Sequence, residues 1–155
     1  MARIAYVNGR YAPSGADLIQ VEDRGFQFAD GVYEVWTVRG GRLLDSEGHF
    51  TRLKRSLGEL QITEPMRPEA LAVVLEEVRR RNKVRDGLLY LQVTRGAAPR
   101  DHAFPEPAGK PTVVVTARPG KASAADARAA AGVGVITHPD LRWKRCDIKT
   151  VSLLP

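Results

Sequence analysis

The chain has 155 residues, of which 43% are hydrophobic, room for one ordinary domain or for one domain and part of another, with enough apolar material for a packed core. No apolar run is long enough to span a bilayer, a polar Asn8-Gly9 turn breaks the N-terminal apolar residues before they could act as a secretory signal, and the single cysteine, Cys146, excludes an internal disulfide framework and suits a reducing cytoplasmic setting. The formal net charge of +6 is spread along the chain, its densest group (Arg79-Arg80-Arg81 with Lys83 and Arg85) sits at a predicted helix end, and no aromatics interleave with it, so a small anionic ligand is expected rather than nucleic acid or a membrane.

Ile4 and Tyr6, the Asn8-Gly9 pair and Arg10-Tyr11 predict an N-terminal hairpin. Residues 18–21 form a short strand candidate. Residues 31–38 form a longer one, in which Val32, Tyr33, Val35, Trp36 and Val38 suit a pleated surface. Gly40-Gly41 can take positive φ and turn the chain into Arg42-Leu43-Leu44. A helix follows, capped by Asp45 or Ser46, with Phe50, Leu53, Leu57 and Leu60 as its buried stripe. A second helix opens at Pro68, buries Leu71, Val74, Leu75 and Val78, and stops at Asn82. Residues 87–94 and 111–117 read as partner strands. The Gly-, Pro- and Ala-rich connection between them, 95–110, is long for a compact domain, and such connections are often functional. From Arg118 the composition changes. Pro119-Gly120-Lys121-Ala122-Ser123 and the alanine-rich 124–131 read as a linker with room for one helical turn, and residues 132–137 as a new strand. The boundary falls near Gly120, dividing 1–119 from 120–155, and the second unit is too short to bury a core of its own.

Lys149 stands in Arg145-Cys146-Asp147-Ile148-Lys149-Thr150, followed by the apolar Val151-Ser152-Leu153-Leu154-Pro155. Apolar neighbours strip hydration from an ammonium, and a neutral amine forms an imine with an aldehyde; the alternative is a solvated surface charge. Arg52, beside the stripe of the first helix, is either a surface arginine or a phosphate clamp. Arg100 and His102 alternate in the long connection, so on extended backbone both point the same way. With a tyrosine hydroxyl they would make a carboxylate receptor; otherwise they mark a polar loop tip. Tyr33 and Glu34 face opposite sides of a strand, Tyr33 toward the core and Glu34 as a ligand group or a surface charge. His49, His102 and His138 are too scattered for a metal site. A Gly-x-Ser-x-Gly elbow, a P-loop and a dinucleotide fingerprint are all missing.

Three blocks converge. They are Glu22-Asp23-Arg24-Gly25-Phe26-Gln27-Phe28-Ala29-Asp30-Gly31-Val32-Tyr33-Glu34-Val35, then Val93-Thr94-Arg95-Gly96-Ala97-Ala98-Pro99-Arg100-Asp101-His102-Ala103-Phe104-Pro105, then Arg142-Trp143-Lys144-Arg145-Cys146-Asp147-Ile148-Lys149. Together they resemble the fold-type IV, or class IV, aminotransferases that depend on pyridoxal 5'-phosphate (PLP), and within them the D-amino acid aminotransferases. The first block marks the wider class, which also holds branched-chain aminotransferases and aminodeoxychorismate lyases. The second is more specific to the D-amino acid enzymes.

The resemblance implies an α+β fold: an N-terminal α/β sandwich domain over 1–119, then the beginning of a pseudo-barrel domain from 120. It implies transamination between a D-amino acid and a 2-oxo acid, of the D-alanine/2-oxoglutarate type, in a homodimer. Lys149 is then the Schiff-base lysine and proton shuttle, and Arg52, after His49-Phe50-Thr51, a ligand of the PLP phosphate. Tyr33, Arg100 and His102 are the substrate carboxylate site, the arginine and histidine reaching in from the other subunit. In the family, the carboxylate that keeps the pyridine nitrogen protonated lies well beyond the lysine, and Asp147 is too near Lys149 for that role. The chain is therefore expected to be the N-terminal part of a longer enzyme. A branched-chain or (R)-amine aminotransferase, a lyase, or a non-catalytic basic binding domain are the competing readings; the Arg100/His102 pair favours the D-amino acid form.

Overall fold

The predicted hairpin forms as β1 (Ile4–Val7) and β2 (Arg10–Pro13), with Asn8 at φ 47° and Gly9 at φ 92° in its turn. Two successive positive-φ residues give the turn whose twist matches that of the flanking strands. The structure, a computed structural model, describes residues 3–153. Met1, Ala2, Leu154 and Pro155, which belong to the terminal runs read above, lie outside the described residues.

β3 (Gly31–Arg39), β4 (Arg42–Leu43), β5 (Gly87–Thr94) and β6 (Thr112–Pro119) complete one sheet in the order β2-β1-β6-β5-β3-β4, and every pairing in it is antiparallel. Alternation sorts its faces. Val32, Trp36 and Val38 of β3, Leu89, Leu91 and Val93 of β5, and Val113, Val115 and Ala117 of β6 are buried in one core. α2 (Ser46–Glu59) lies over β3, and α3 (Pro68–Arg81) over β1 and β6. Leu53 and Leu57 enter that core from α2, and Leu71, Leu75 and Val78 from α3.

The helix signals held in part. Pro68 opens α3. Asn82 ends it and ties it to β1, since its Nδ2 donates to the Ile4 carbonyl at 2.8 Å while its Oδ1 accepts from Ile4 N at 2.9 Å. Asp45 holds the cap position of α2 at φ 51° but makes no side-chain capping bond. A short α1 (Arg24–Phe28) was not foreseen; Asp23 caps it by accepting from Gly25 N at 2.8 Å.

Three expectations are corrected. Residues 18–21 are not a strand: Ile19 and Val21 face outward, and none of the described strands pairs with them. The linker is not limited to one turn but forms α4 (Ala122–Ala131), as its alanines favour, with no buried residue. Residues 132–137 form no strand and pair with none of the described strands. Among the described residues no helix is long and apolar enough to cross a membrane.

Candidate active site

Glu34 sits on the helix-facing side of β3 and is fully buried. A carboxylate cannot remain there without partners, and α2 supplies them. Arg52 donates from Nε to Oε1 and from Nη2 to Oε2, both at 2.7 Å, and His49 Nδ1 lies 2.7 Å from Oε2. His49 and Arg52 are three apart, so one helix face presents both. Glu34 is therefore not a surface charge but a buried counter-ion. Its hydrogen bonds push the Arg52 guanidinium further above its already high range. The Arg52 side chain as a whole is half-exposed.

Tyr33 lies on the other face. It is half-buried outside the core, its ring stacked on Tyr90 at 5.6 Å, so the core position foreseen for it belongs to Glu34. Beside it runs the Lys149 segment. Tyr33 N donates to the Lys149 carbonyl and Val151 N to the Gly31 carbonyl, both at 3.1 Å, around an antiparallel bridge of Val32 with Thr150. This register sets Lys149 opposite Tyr33 and Ile148 opposite Glu34. Ile148 accordingly enters the core at 4% exposure. The Lys149 Nζ lies 4.0 Å from the centre of the Tyr33 ring, within cation–π reach.

α2 clamps the same segment from its other side. Asp147 is ion-paired with Arg55 and with Arg145, and Arg145 also reaches Glu59 at 2.6 Å. Hydrogen bonds from Arg145 and Arg55 hold the Asp147 carboxyl below the usual range. Tyr33, Arg52, Trp143, Lys149 and Ser152 border a cavity of ≈ 320 Å³. An amine and a guanidinium edge on one cavity are a donor set for a ligand with both a carbonyl and a phosphate.

Arg100 and His102 are both exposed and both rest against Phe28, the guanidinium 5.0 Å and the imidazole 5.7 Å from its ring centre. The alternation thus brings this pair together, but not to Tyr33 or Lys149. His102 borders a second cavity of ≈ 420 Å³ with Phe28, Leu60 and Phe104, which shares Trp143, Thr150 and Ser152 with the first.

Arg24, Asp30 and Arg95 stand in the sequence blocks above with no role attached to them. In the fold they form a nearly buried ion cluster: Arg24 Nε and Arg95 Nε donate to Asp30 Oδ2 at 2.8 and 2.7 Å, and Arg95 Nη2 donates to Oδ1 at 3.0 Å. Burial raises the Asp30 carboxyl, but the hydrogen bonds and charges of Arg95 and Arg24 outweigh it and hold it below the ordinary value. In the sequence each of these three charges is followed directly by a glycine, Gly25, Gly31 and Gly96, but that pattern does not name their partners, and the close packing behind it shows only in the fold. A Cβ on Gly25 would meet Thr94 Cγ2 at 2.2 Å, and one on Gly31 would meet the Val93 carbonyl oxygen at 2.8 Å.

The family described as amino-transferase class IV matches residues 31–155. This chain belongs to the class IV aminotransferases. Among similar proteins of the class, the D-alanine aminotransferase of Staphylococcus haemolyticus is 36% identical over 149 residues, covering 96% of this chain and 52% of that protein. That of Bacillus licheniformis is 42% identical over 147 residues, covering 95% and 51%. The chain spans about half the length of the curated relatives it matches. The solved 4-amino-4-deoxychorismate lyase from Pseudomonas aeruginosa is 32% identical with a TM-score of 0.58, covering 74% of this chain and 39% of that one. A branched-chain amino acid aminotransferase from T.th., solved with pyridoxamine 5'-phosphate, shares the fold at a TM-score of 0.70 and 23% identity, covering 79% and 41%. The α+β expectation therefore holds for this class IV chain.

Proposed function

We propose that this chain is the lysine-bearing part of a PLP-dependent D-amino acid aminotransferase. The whole enzyme would exchange an amino group between a D-amino acid and a 2-oxo acid, with D-alanine and 2-oxoglutarate as the type pair, in the cytoplasm. The observation that carries this reading is the Lys149 amine held over Tyr33 on a cavity shared with Arg52. The D-alanine aminotransferases, at 32–42% identity over most of the chain, support the substrate class.

The residues present fit PLP. Lys149 offers the amine for its aldehyde, and Arg52, whose Nε and Nη2 are turned to Glu34, has Nη1 left for its phosphate. When bound, PLP supplies an electron sink for the electrons left at the substrate Cα. Lys149 would hold the cofactor through Nζ, and the same nitrogen would act as the base that moves the proton from the substrate Cα onto the cofactor. The main-chain pairing with β3 and the clamp by Arg55 and Arg145 keep that nitrogen in place. Glu34 keeps Arg52 oriented and charged.

Tyr33, Arg100 and His102 bind the substrate carboxylate. Arg100 and His102 do not share the Lys149 cavity of their own chain, which supports a homodimer in which they serve the partner's site. Fixing the carboxylate on one side decides which Cα hydrogen faces Lys149, and hence the stereochemistry. Residues 120–155 open the second domain.

A related class IV activity is the second reading, favoured by the likeness to the lyase. The two are separated by pyruvate release from the full-length polypeptide with PLP. D-alanine should yield pyruvate beyond one equivalent per site only when 2-oxoglutarate is added, and L-valine should give no transamination. Faster turnover of L-valine or of an (R)-amine, or lyase activity on aminodeoxychorismate, would overturn the D-amino acid assignment.

A further inference from the structure

A carboxylate receptor works only if its donors are held in place before the substrate arrives. Arg100 and His102 lie on an irregular connection and are exposed, and among the described residues neither makes a side-chain hydrogen bond. Something else must fix them.

Arg24 is built to do so. Its side chain is only 5% exposed. Nε is turned onto Asp30, and Nη1 donates to the carbonyls of Asp101 at 2.7 Å and Ala103 at 3.2 Å, the residues on either side of His102. Its guanidinium also lies 4.8 Å from the centre of the Phe28 ring, the ring against which Arg100 and His102 both rest. One buried group thus grips the main chain around His102 and backs the aromatic ring that both cations share. Asp30 in turn joins Arg24 to Arg95, which donates to the carbonyls of Leu60 and Gln61 and stacks on Phe104 at 3.8 Å, fastening the connection to the end of α2.

We propose that Arg24 is the positioning residue of this arm. It sets the places of Arg100 and His102, and so the affinity for the substrate carboxylate, without touching substrate. The inference rests on the assignment of Arg100 and His102 as carboxylate ligands.

The test uses the full-length holoenzyme. Arg24→Lys keeps a cation beside Asp30 but loses the planar fork that spans Asp30 and two carbonyls. The KM for D-alanine should rise about tenfold or more while kcat stays within about twofold, as expected for displaced ground-state contacts. The slow reaction of D-alaninamide, which has no carboxylate, and the visible absorbance of the bound cofactor should stay as in the wild type. Phe28→Leu, which leaves every hydrogen bond of Arg24 in place, should raise the same KM by less. An unchanged KM for D-alanine in these variants, or parallel losses for D-alanine and D-alaninamide, overturns the positioning role. If Arg24→Lys does not fold, Phe28→Leu decides alone. Arg100→Ala separates the levels: an unchanged KM there sinks the carboxylate assignment itself, whereas a raised KM there with no effect of Arg24→Lys or Phe28→Leu sinks only the positioning.

Discussion

Two short stretches after the sheet contrast sharply. Residues 132–137 carry Val133, Val135 and Ile136, as apolar as the middle of β6, yet they are 77%, 84% and 91% exposed. Residues 147–151 are no more apolar and no more regular, yet Ile148 is buried. The difference lies in what each stretch meets. The second has the free edge of β3 on one side and Arg55, Ser56 and Glu59 of α2 on the other. Apolar content makes a segment able to be buried, but an unpaired edge and complementary charges decide whether it is. In this molecule that ordering falls on the residues around Lys149, where the proposed nucleophile would need it.

The largest expected effect concerns the held segment. Lys149→Ala in the full-length polypeptide should lower transamination of D-alanine by about 10³-fold or more, since in the proposed reading one nitrogen serves as both nucleophile and proton carrier. Next comes the other held element, the arm. Asp30→Asn leaves two nearly buried guanidiniums without their counter-ion and should lower unfolding stability by about 3–5 kcal/mol, read from urea midpoints.

The pH dependence of that variant follows from the depressed Asp30 carboxyl. Its contribution is fully present above the unfolded value, near pH 4, and is lost as pH falls through the lower folded value. Below about pH 4 the wild type should therefore lose stability more steeply than Asp30→Asn. Ile148→Ala should cost about 2–5 kcal/mol as a core truncation. Ile136→Ala should change stability by no more than about 0.5 kcal/mol in the 155-residue chain, because its side chain is already in solvent. If the two isoleucines behaved alike, the contrast between the stretches would be broken.

Much of the fold was legible because its signals are local. The Asn8-Gly9 turn, the stripes Leu53/Leu57 and Leu71/Leu75/Val78, and Pro68 and Asn82 each act within a few residues of themselves. What failed depends on distant partners. Residues 18–21 and 132–137 have strand-like composition but pair with none of the described strands, and five-residue α1 is too short to show a period. The site divides the same way. The block around Lys149 stands out in the sequence, and the spacing of Arg100 and His102 foretells that they lie together on Phe28. The burial of Glu34 under Arg52 and His49, and the union of Arg24, Asp30 and Arg95, could not, because those partners meet only once the sheet has formed.

The central claim is that the amine beside Tyr33 is the one that holds the cofactor. Its most direct test is to load the full-length polypeptide with PLP, reduce it with borohydride and map the labelled peptide by mass spectrometry. The account predicts a visible absorbance that borohydride bleaches and a phosphopyridoxyl group on Lys149. A label on another lysine, or an absorbance that survives Lys149→Ala, would contradict it.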